Sequence, residues 1–257
     1  MNDRLYVALV ALLSFLAFGA GYVLERSMES TPDKHLPTPS WISDGIIAHY
    51  PFTGNVMNAT QDRFHGQAFG KLRFASDRFG RGDSACEFDG LTTYYDPEIT
   101  ITNPNVVSVS LWVKLDQLLR GTVVQLLGPK EPKTALVGAY LGFSDQGKIC
   151  FIQWNSRKLG DRLEFKIDQN PDGWMCVGVT FRSNDAGSLE VNFYVNGKKV
   201  SSAETPIFGQ LDRSVLVGRH AIEASEFRGV IDDLRFYDRC LSDLEVETLF
   251  KFESSSR

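Results

Sequence analysis

The chain has no excess of positive charge, few cysteines and histidines, and none of the short motifs that announce catalysis. Its 257 residues carry 27 Lys and Arg against 32 Asp and Glu, a formal charge of −5. No basic stripe is interleaved with aromatics, so no nucleic-acid partner is expected. The four cysteines, Cys86, Cys150, Cys176 and Cys240, are widely spaced, with no C-x-x-C and no adjacent His pair. That excludes zinc-ligand spacing and leaves disulfides or buried thiols. His35, His49, His65 and His220 are scattered without an evident catalytic partner. There is no G-x-S-x-G elbow, no H-E-x-x-H and no P-loop. Paired carboxylates a few residues apart on one strand face, the arrangement that flanks a scissile glycosidic bond, are missing too. Glu223 and Glu226 fall in a loop, while Glu245 and Glu247 fall on a terminal helix. These absences predict a protein that is not an enzyme.

What is present begins with an apolar run. Leu5 to Leu24 holds no charged residue over twenty positions, enough to cross a bilayer as a helix. A signal peptide is the alternative, with Gly19-Ala20-Gly21 as small residues near a cleavage site; the length favours an uncleaved anchor. Positive charge at the amino terminus and Arg4, against Glu25 and Glu29 on the far side, orients the N-terminus inside and the rest of the chain outside. The expected organisation is an anchor at 1–26, a Pro/Ser-rich tether at 27–43, one folded domain at 44–251 and a disordered tail at 252–257. In an oxidising compartment at least partial disulfide pairing is expected. Cys150 with Cys176 and Cys86 with Cys240 are the expected partners, although spacing alone leaves the connectivity open.

The body of the domain is a series of short β-branched and aromatic runs punctuated by Gly, Asn, Asp and Pro, an all-β pattern. Strands are predicted at 46–52, 106–114, 122–128, 147–154, 175–181, 189–195 and 215–219. Asn196-Gly197 marks a type I′ hairpin turn. The fold class this implies is an all-β, two-sheet antiparallel jelly-roll sandwich with a short C-terminal helix. The closing stretch Gly229–Phe250 organises the rest. Leu234 and Phe236 alternate with Arg235 and Tyr237 as in a half-buried strand. By the same alternation Asp232 points toward the core and requires a hydrogen-bond partner, a counter-charge or a metal. Ser242 and Glu245 form a capping box and Leu241 and Val246 a hydrophobic staple for a helix ending near Phe250.

The runs GIIAHYPF (45–52), HGQAFG (65–70), DRFGRGDSACEFDG (77–90), SVSLWVK (108–114), GWMCVGVTF (173–181), FYVNGKKV (193–200), VLVGR (215–219) and GVIDDLRFYDRCLSDLEVETLF (229–250) resemble the LamG-like jelly-roll domains of the concanavalin A-like lectin/glucanase superfamily. The resemblance implies two curved antiparallel sheets and a domain that binds carbohydrate or a surface protein. Trp112 and Trp174 stand at positions the family fills with Trp and are expected in the core. Trp154, Tyr140 and Phe143 lie where a sheet face could stack a sugar ring. Many relatives hold a calcium ion in the loop after YPF with help from the closing strand. Here that loop, TGNVMNATQDRFHG (53–66), has Thr53 and Phe64 where oxygen ligands are usual. Asn55, Asn58, Asp62 and Asp232 remain as candidate calcium ligands. The alternative role for Asp232 is to cap the Phe88-Asp89-Gly90 turn. Arg81-Gly82-Asp83 spells an adhesion triplet short enough to arise by chance, and Asn58-Ala59-Thr60 is a glycosylation sequon. A membrane-anchored binding module is the leading reading. An envelope assembly role and an unusual glycoside-active enzyme are its rivals.

Overall fold

The computed structural model describes residues 38–255 apart from positions 62 and 104 and the stretches 117–119, 128–137, 145–147, 156–157, 167–172, 207–214 and 221–224. The proposed anchor, Leu5 to Leu24, therefore lies outside the described residues, as does Asp62. Among the described residues no helix is long and apolar enough to cross a membrane. Thr38–Ser254 forms one compact unit.

In chain order the strands are β1 (Ile46–Tyr50), β2 (Gln67–Phe69), β3 (Arg73–Ala75), β4 (Ala85–Asp89) and β5 (Tyr94–Asp96). Next come β6 (Val106–Leu115), β7 (Gly121–Leu127), β8 (Gly138–Phe143), β9 (Lys148–Asn155) and β10 (Lys158–Lys166). Then follow β11 (Met175–Ser183), β12 (Ser188–Val195), β13 (Lys198–Pro206), β14 (Val215–Val217) and β15 (Arg228–Tyr237), before the helix α1 (Asp243–Ser254). The first sheet runs β13-β12-β11-β6-β15-β4-β3 with β1 also on β15, and the second runs β10-β9-β8-β7-β14-β5-β2. All the pairings within these sheets are antiparallel.

Alternation decides which face each residue takes. In β6, Val107, Val109, Leu111 and Val113 enter the shared core, as do Val177, Val179 and Phe181 of β11 and Ile149 and Phe151 of β9. Trp112, Tyr194 and Tyr237 face outward from the first sheet and are buried nonetheless, because α1 lies over that face. Tyr194, Tyr237, Leu241, Val246 and Leu249 form a second apolar cluster there. The capping box is made: Ser242 N donates to Glu245 Oε2 at 2.8 Å and Glu245 N to Ser242 Oγ at 3.3 Å. The hairpin turn is made as well, with Asn196 and Gly197 at φ 50° and 74°. A Cβ on Gly197 would stand 2.8 Å from that of Phe250, so this turn also seats the helix. The helix continues to Ser254, past the boundary at 251 expected from the sequence. Glu253 is fully buried and belongs to the domain, not to a tail.

The disulfide expectation is corrected, because all four cysteines are free. Ile149 and Phe151 of β9 point into the core, so Cys150 between them points away from it, out of the second sheet. Cys176 precedes the core residue Val177 and faces outward from the first sheet, opposite Trp112. The two thiols thus look in opposite directions across the thickness of the sandwich. Cys86 is in the core and pairs in register with Ile231. Cys240 lies nine residues further along, most of them extended at about 3.3 Å each.

Candidate functional site

Strand β15 changes partners partway along one edge. Arg228 to Ile231 pair with β4, and Leu234 to Tyr237 pair with β1. Between them the register with β6 slips, from Asp232 opposite Trp112 to Arg235 opposite Ser110. Asp233 takes a positive φ of 47°, which marks a bulge. Simple alternation is broken there. Ile231, Leu234 and Phe236 enter the core, while Asp232, Asp233 and Arg235 all turn to the outer face. The expectation that Asp232 shares a face with Leu234 and Phe236 is therefore overturned by one extra residue. Its burial and its need for a partner stand, because loop and helix cover the site.

That partner is Arg78, from the loop between β3 and β4. Its Nη1 donates to Asp232 Oδ2 at 2.5 Å and its Nη2 to Asp233 Oδ2 at 2.7 Å. Its Nε donates to the Glu253 carbonyl at 3.0 Å. The guanidinium also lies over the Trp112 ring, 4.7 Å from the centroid, and its side chain is 4% exposed. On the other side of Asp233, His49 Nε2 stands 2.6 Å from Oδ1 and Arg235 Nη2 3.3 Å from the same oxygen. Arg235 also pairs with Glu253, whose Oε2 accepts Trp112 Nε1 at 2.7 Å. Burial and the Asp233 charge, opposed by Arg78, push the Asp232 carboxyl up to about 7. Burial acts on Asp233 as well, but Arg235, His49 and Arg78 more than offset it and hold Asp233 well below the usual carboxylate range.

A calcium ion does not fit these residues. It requires six to eight oxygens, and the candidate oxygens among the described residues already serve protein donors. Asn58, 6% exposed, accepts through Oδ1 from His49 N, Thr60 N and Thr60 Oγ1, at 3.0, 3.0 and 2.9 Å. Its Nδ2 donates to the Arg63 carbonyl at 3.0 Å. Asn55 closes its own turn on Met57 N at 2.8 Å. The carbonyl of Phe64 takes the Tyr50 hydroxyl at 2.7 Å, and Tyr95 Oη sits 2.8 and 2.7 Å from the carbonyls of Val56 and His65. Arg78 stands against the two carboxylates as their counter-cation. Among the described residues no group of three His, Cys, Asp or Glu is arranged to hold a metal. Asp232 does not cap the turn after Phe88 either. Asp89 Oδ1 does so, accepting from Leu91, Thr92 and Thr93 N at 2.9, 2.8 and 2.9 Å. The committed Asn58 also gives the sequon no free amide. Arg81 of the adhesion triplet is held by Asp77, Nε to Oδ2 at 2.6 Å.

The residues expected to stack a sugar divide. Phe143 is 2% exposed, a core residue stacked on Phe227 at 6.2 Å, because it shares parity with the inward Leu141. It cannot present a ring to a ligand, which corrects its assignment. Tyr140 faces outward from the second sheet, half-buried, edge-on to His220 at 5.5 Å. Trp154 occupies β9 opposite Gly138 and Leu159, and its side chain is outside the described residues. Trp112 is buried, but under α1 and not in the shared core, and Trp174 stands just before β11. Sequence reasoning missed a second aromatic group on the second sheet. Phe69 and Tyr94, registered across β2 and β5, stack at 4.4 Å with rings 3° apart, and Arg219 lies 4.9 Å over Tyr94. The signal was the Tyr94-Tyr95 pair, one ring outward and one in the core.

Two facing antiparallel sheets, closed by a capped helix over a buried ionic seam, define a lectin-type jelly roll. The chain belongs to the concanavalin A-like lectin/glucanase superfamily, whose laminin G-type family model matches residues 89–247. Among curated proteins none matches the chain. Among solved structures, it is similar to domain 4 of AbnA, a GH43 extracellular arabinanase from Geobacillus stearothermophilus, in complex with arabinotriose. The TM-score is 0.59 at 23% identity, covering 79% of this chain and 97% of that one. It is also similar to the receptor-binding domain of botulinum neurotoxin C/D mosaic serotype, with TM-score 0.61 at 16% identity over 82% of this chain. A third is the binding domain of botulinum neurotoxin DC in complex with rat synaptotagmin II, with TM-score 0.57 at 12% identity over 82% of this chain. The similarity covers 52% of each of these two toxin chains.

Proposed function

We propose that the chain is a non-catalytic binding module, held at the outer side of a membrane by Leu5–Leu24, that engages carbohydrate. The observation that carries this is the correspondence over 97% of AbnA domain 4, a domain of an extracellular enzyme solved with arabinotriose. Tyr140 and the stacked Phe69 and Tyr94 are the side chains that would meet a sugar ring. Binding without chemistry is supported by the state of Asp232 and Asp233, which Arg78 seals under the helix, away from any substrate. A few stacking contacts bury little area, so single-site affinity is expected at about micromolar to millimolar. Crowding on a membrane adds avidity. A surface-protein partner is the second reading, favoured by the likeness to a domain in complex with synaptotagmin.

The test incubates the full-length chain, in mild detergent, with oligosaccharides and envelope extracts and follows both binding and products. Binding that Tyr94→Ala or Tyr140→Ala weakens, with the sugars unshortened, is the expected result. Shortened sugars would make the protein an enzyme. A stable protein complex with no glycan bound would move the assignment to the protein partner. Protease added to intact cells should remove the domain, and survival of the domain until lysis would overturn the outward topology.

A further inference from the structure

A cleft of about 270 Å³ opens where the β3 and β4 end of the first sheet meets the turn before β5, beside the Phe69 and Tyr94 pair. Register builds it. Arg73 of β3 lies opposite Glu87 of β4. In the next row Asp89 lies opposite Arg228, which reaches Asp116. Phe88 and, from the turns flanking β3 and β5, Lys71 and Thr93 complete the lining.

The charges of this cleft are not all free. Asp89 is consumed by the turn it caps, taking the Thr92 hydroxyl at 2.8 Å besides the three backbone N–H groups. Arg228 Nε is matched by Asp116 Oδ2 at 3.4 Å. Two cations, Lys71 and Arg73, and one carboxylate, Glu87, remain without an ion pair among the described residues. The lining carries three cationic and three acidic side chains, and Lys71 and Arg73 are its two cations free to meet an anion. The decisive group is Thr93. It is 1% exposed, it lines the cleft, and its hydroxyl has no hydrogen-bond partner among the described residues. Buried hydroxyls are nearly always paired, so this one is built to meet a polar group that enters.

We propose that this cleft binds an anionic sugar residue of the uronate class. The inference rests on the reading of the chain as a glycan-binding module and adds a charged subsite beside the Phe69 and Tyr94 pair. A carboxylate on the ligand satisfies Lys71 and the planar fork of Arg73. Glu87, when ionised, only accepts, so it needs hydroxyl donors, which a phosphate dianion or a simple carboxylate lacks. Thr93 supplies a hydroxyl that both donates and accepts. One ring bearing a carboxylate and vicinal hydroxyls meets all four groups. The volume falls just under the range of about 300–1,000 Å³ typical of drug-sized ligands, so it suits one or two sugar rings.

The experiment titrates the full-length chain, in mild detergent, with an oligouronate and with the neutral oligosaccharide of the same linkage. The oligouronate should bind at least tenfold tighter, with the preference shrinking as salt rises. Lys71→Ala and Arg73→Ala should each weaken the oligouronate tenfold or more, and Thr93→Val several-fold. Lys71 and Arg73 are exposed, so their variants are expected to keep the wild-type melting temperature. Equal affinity for charged and neutral sugars, or oligouronate binding that the three variants leave unchanged, overturns the cleft and leaves the binding-module reading in place. Binding to neither sugar, nor to any glycan in the broader screen, overturns both.

Discussion

Arg78 and Asp233 meet across 155 positions of sequence, Nη2 to Oδ2 at 2.7 Å, at the point where β15 leaves β4 for β1. The contact ties the β3–β4 loop to the closing strand, and through the Glu253 carbonyl it ties both to the helix. Three separate parts of the chain are locked by one side chain.

Replacing that side chain should be costly. Arg78→Met leaves two carboxylates buried with too little positive charge, and breaking a buried ionic set in this way costs about 3–5 kcal/mol. Arg182→Ala, at a pair whose arginine side chain is 61% exposed, should cost no more than about 1 kcal/mol. Denaturant unfolding of both variants beside the wild type checks this, and equal midpoints for Arg78→Met and wild type would remove the role assigned to Arg78.

Much of this region was legible in the sequence, and its misreading has one cause. Ser242, Glu245, Leu241 and Val246 announced the helix start because capping is local chemistry. Asn196-Gly197 announced the hairpin for the same reason. The bulge was also written in the chain: Ile231, Leu234 and Phe236 are spaced three and then two apart, which no regular strand allows if all three enter the core. Reading strict alternation through Asp232-Asp233 sent the carboxylate to the wrong face. Arg78 could not be found that way, because its partners lie over 150 residues distant. The short β2, β3 and β5 escaped too, since three-residue strands are set by their neighbours and not by their own pattern. Phe143 was misassigned through parity alone, as the same count from Leu141 would have placed it inside.

The two aspartates should give stability a two-sided pH dependence. Asp232 has a folded pKa pushed up to about 7, above the unfolded value of about 3.9, so its contribution is complete below about pH 4 and is lost as pH rises toward 7. Asp233 is held well below its unfolded value, so its contribution is present above about pH 4 and is lost as pH falls. The other capping and paired carboxylates with lowered pKa values, Asp77, Asp89, Glu190, Asp243 and Glu245, act on the acid side as well. Of these carboxylates only Asp232 titrates between about pH 5 and 7, and it contributes a downward slope with rising pH. Asp232→Asn, neutral throughout, should flatten that decline and leave the acid limb in place. Denaturation midpoints that are flat or rising from pH 5 to 7 in the wild type would contradict the assignment.

Calcium should leave the folded chain unmoved. A site filled at a hundred times its Kd would add about 2.7 kcal/mol, and each kcal/mol moves the melting temperature of a domain this size by about 2–4 °C. With Asn58 spent on His49 and Thr60, and with Arg78 against both carboxylates, no such gain is expected. Melting curves in excess calcium and in chelator should superimpose. A shift of several degrees between them would mean that oxygens of the 53–66 loop abandon their present donors for the ion.

The thiols supply the last check, because the direction each cysteine faces determines what it can do. Cys86 is in the core, Cys150 is buried facing out of the second sheet, and Cys176 is buried under the ionic seam of the first sheet. Burial pushes the Cys86 thiol up and the Cys176 thiol up to about 12, which keeps both in the unreactive protonated form at neutral pH. Cys240 is also raised by burial but is only half-buried, just past the end of β15. A disulfide-exchange reagent should therefore modify Cys240 first and slowly, and reach the other three only as fast as the chain unfolds. After denaturation without reductant, protein taken from its native compartment should show four thiols. Fewer than four would mean that a pair has joined across faces the fold holds apart. Rapid reaction of three or more in the native protein would mean that these strands are not packed as described.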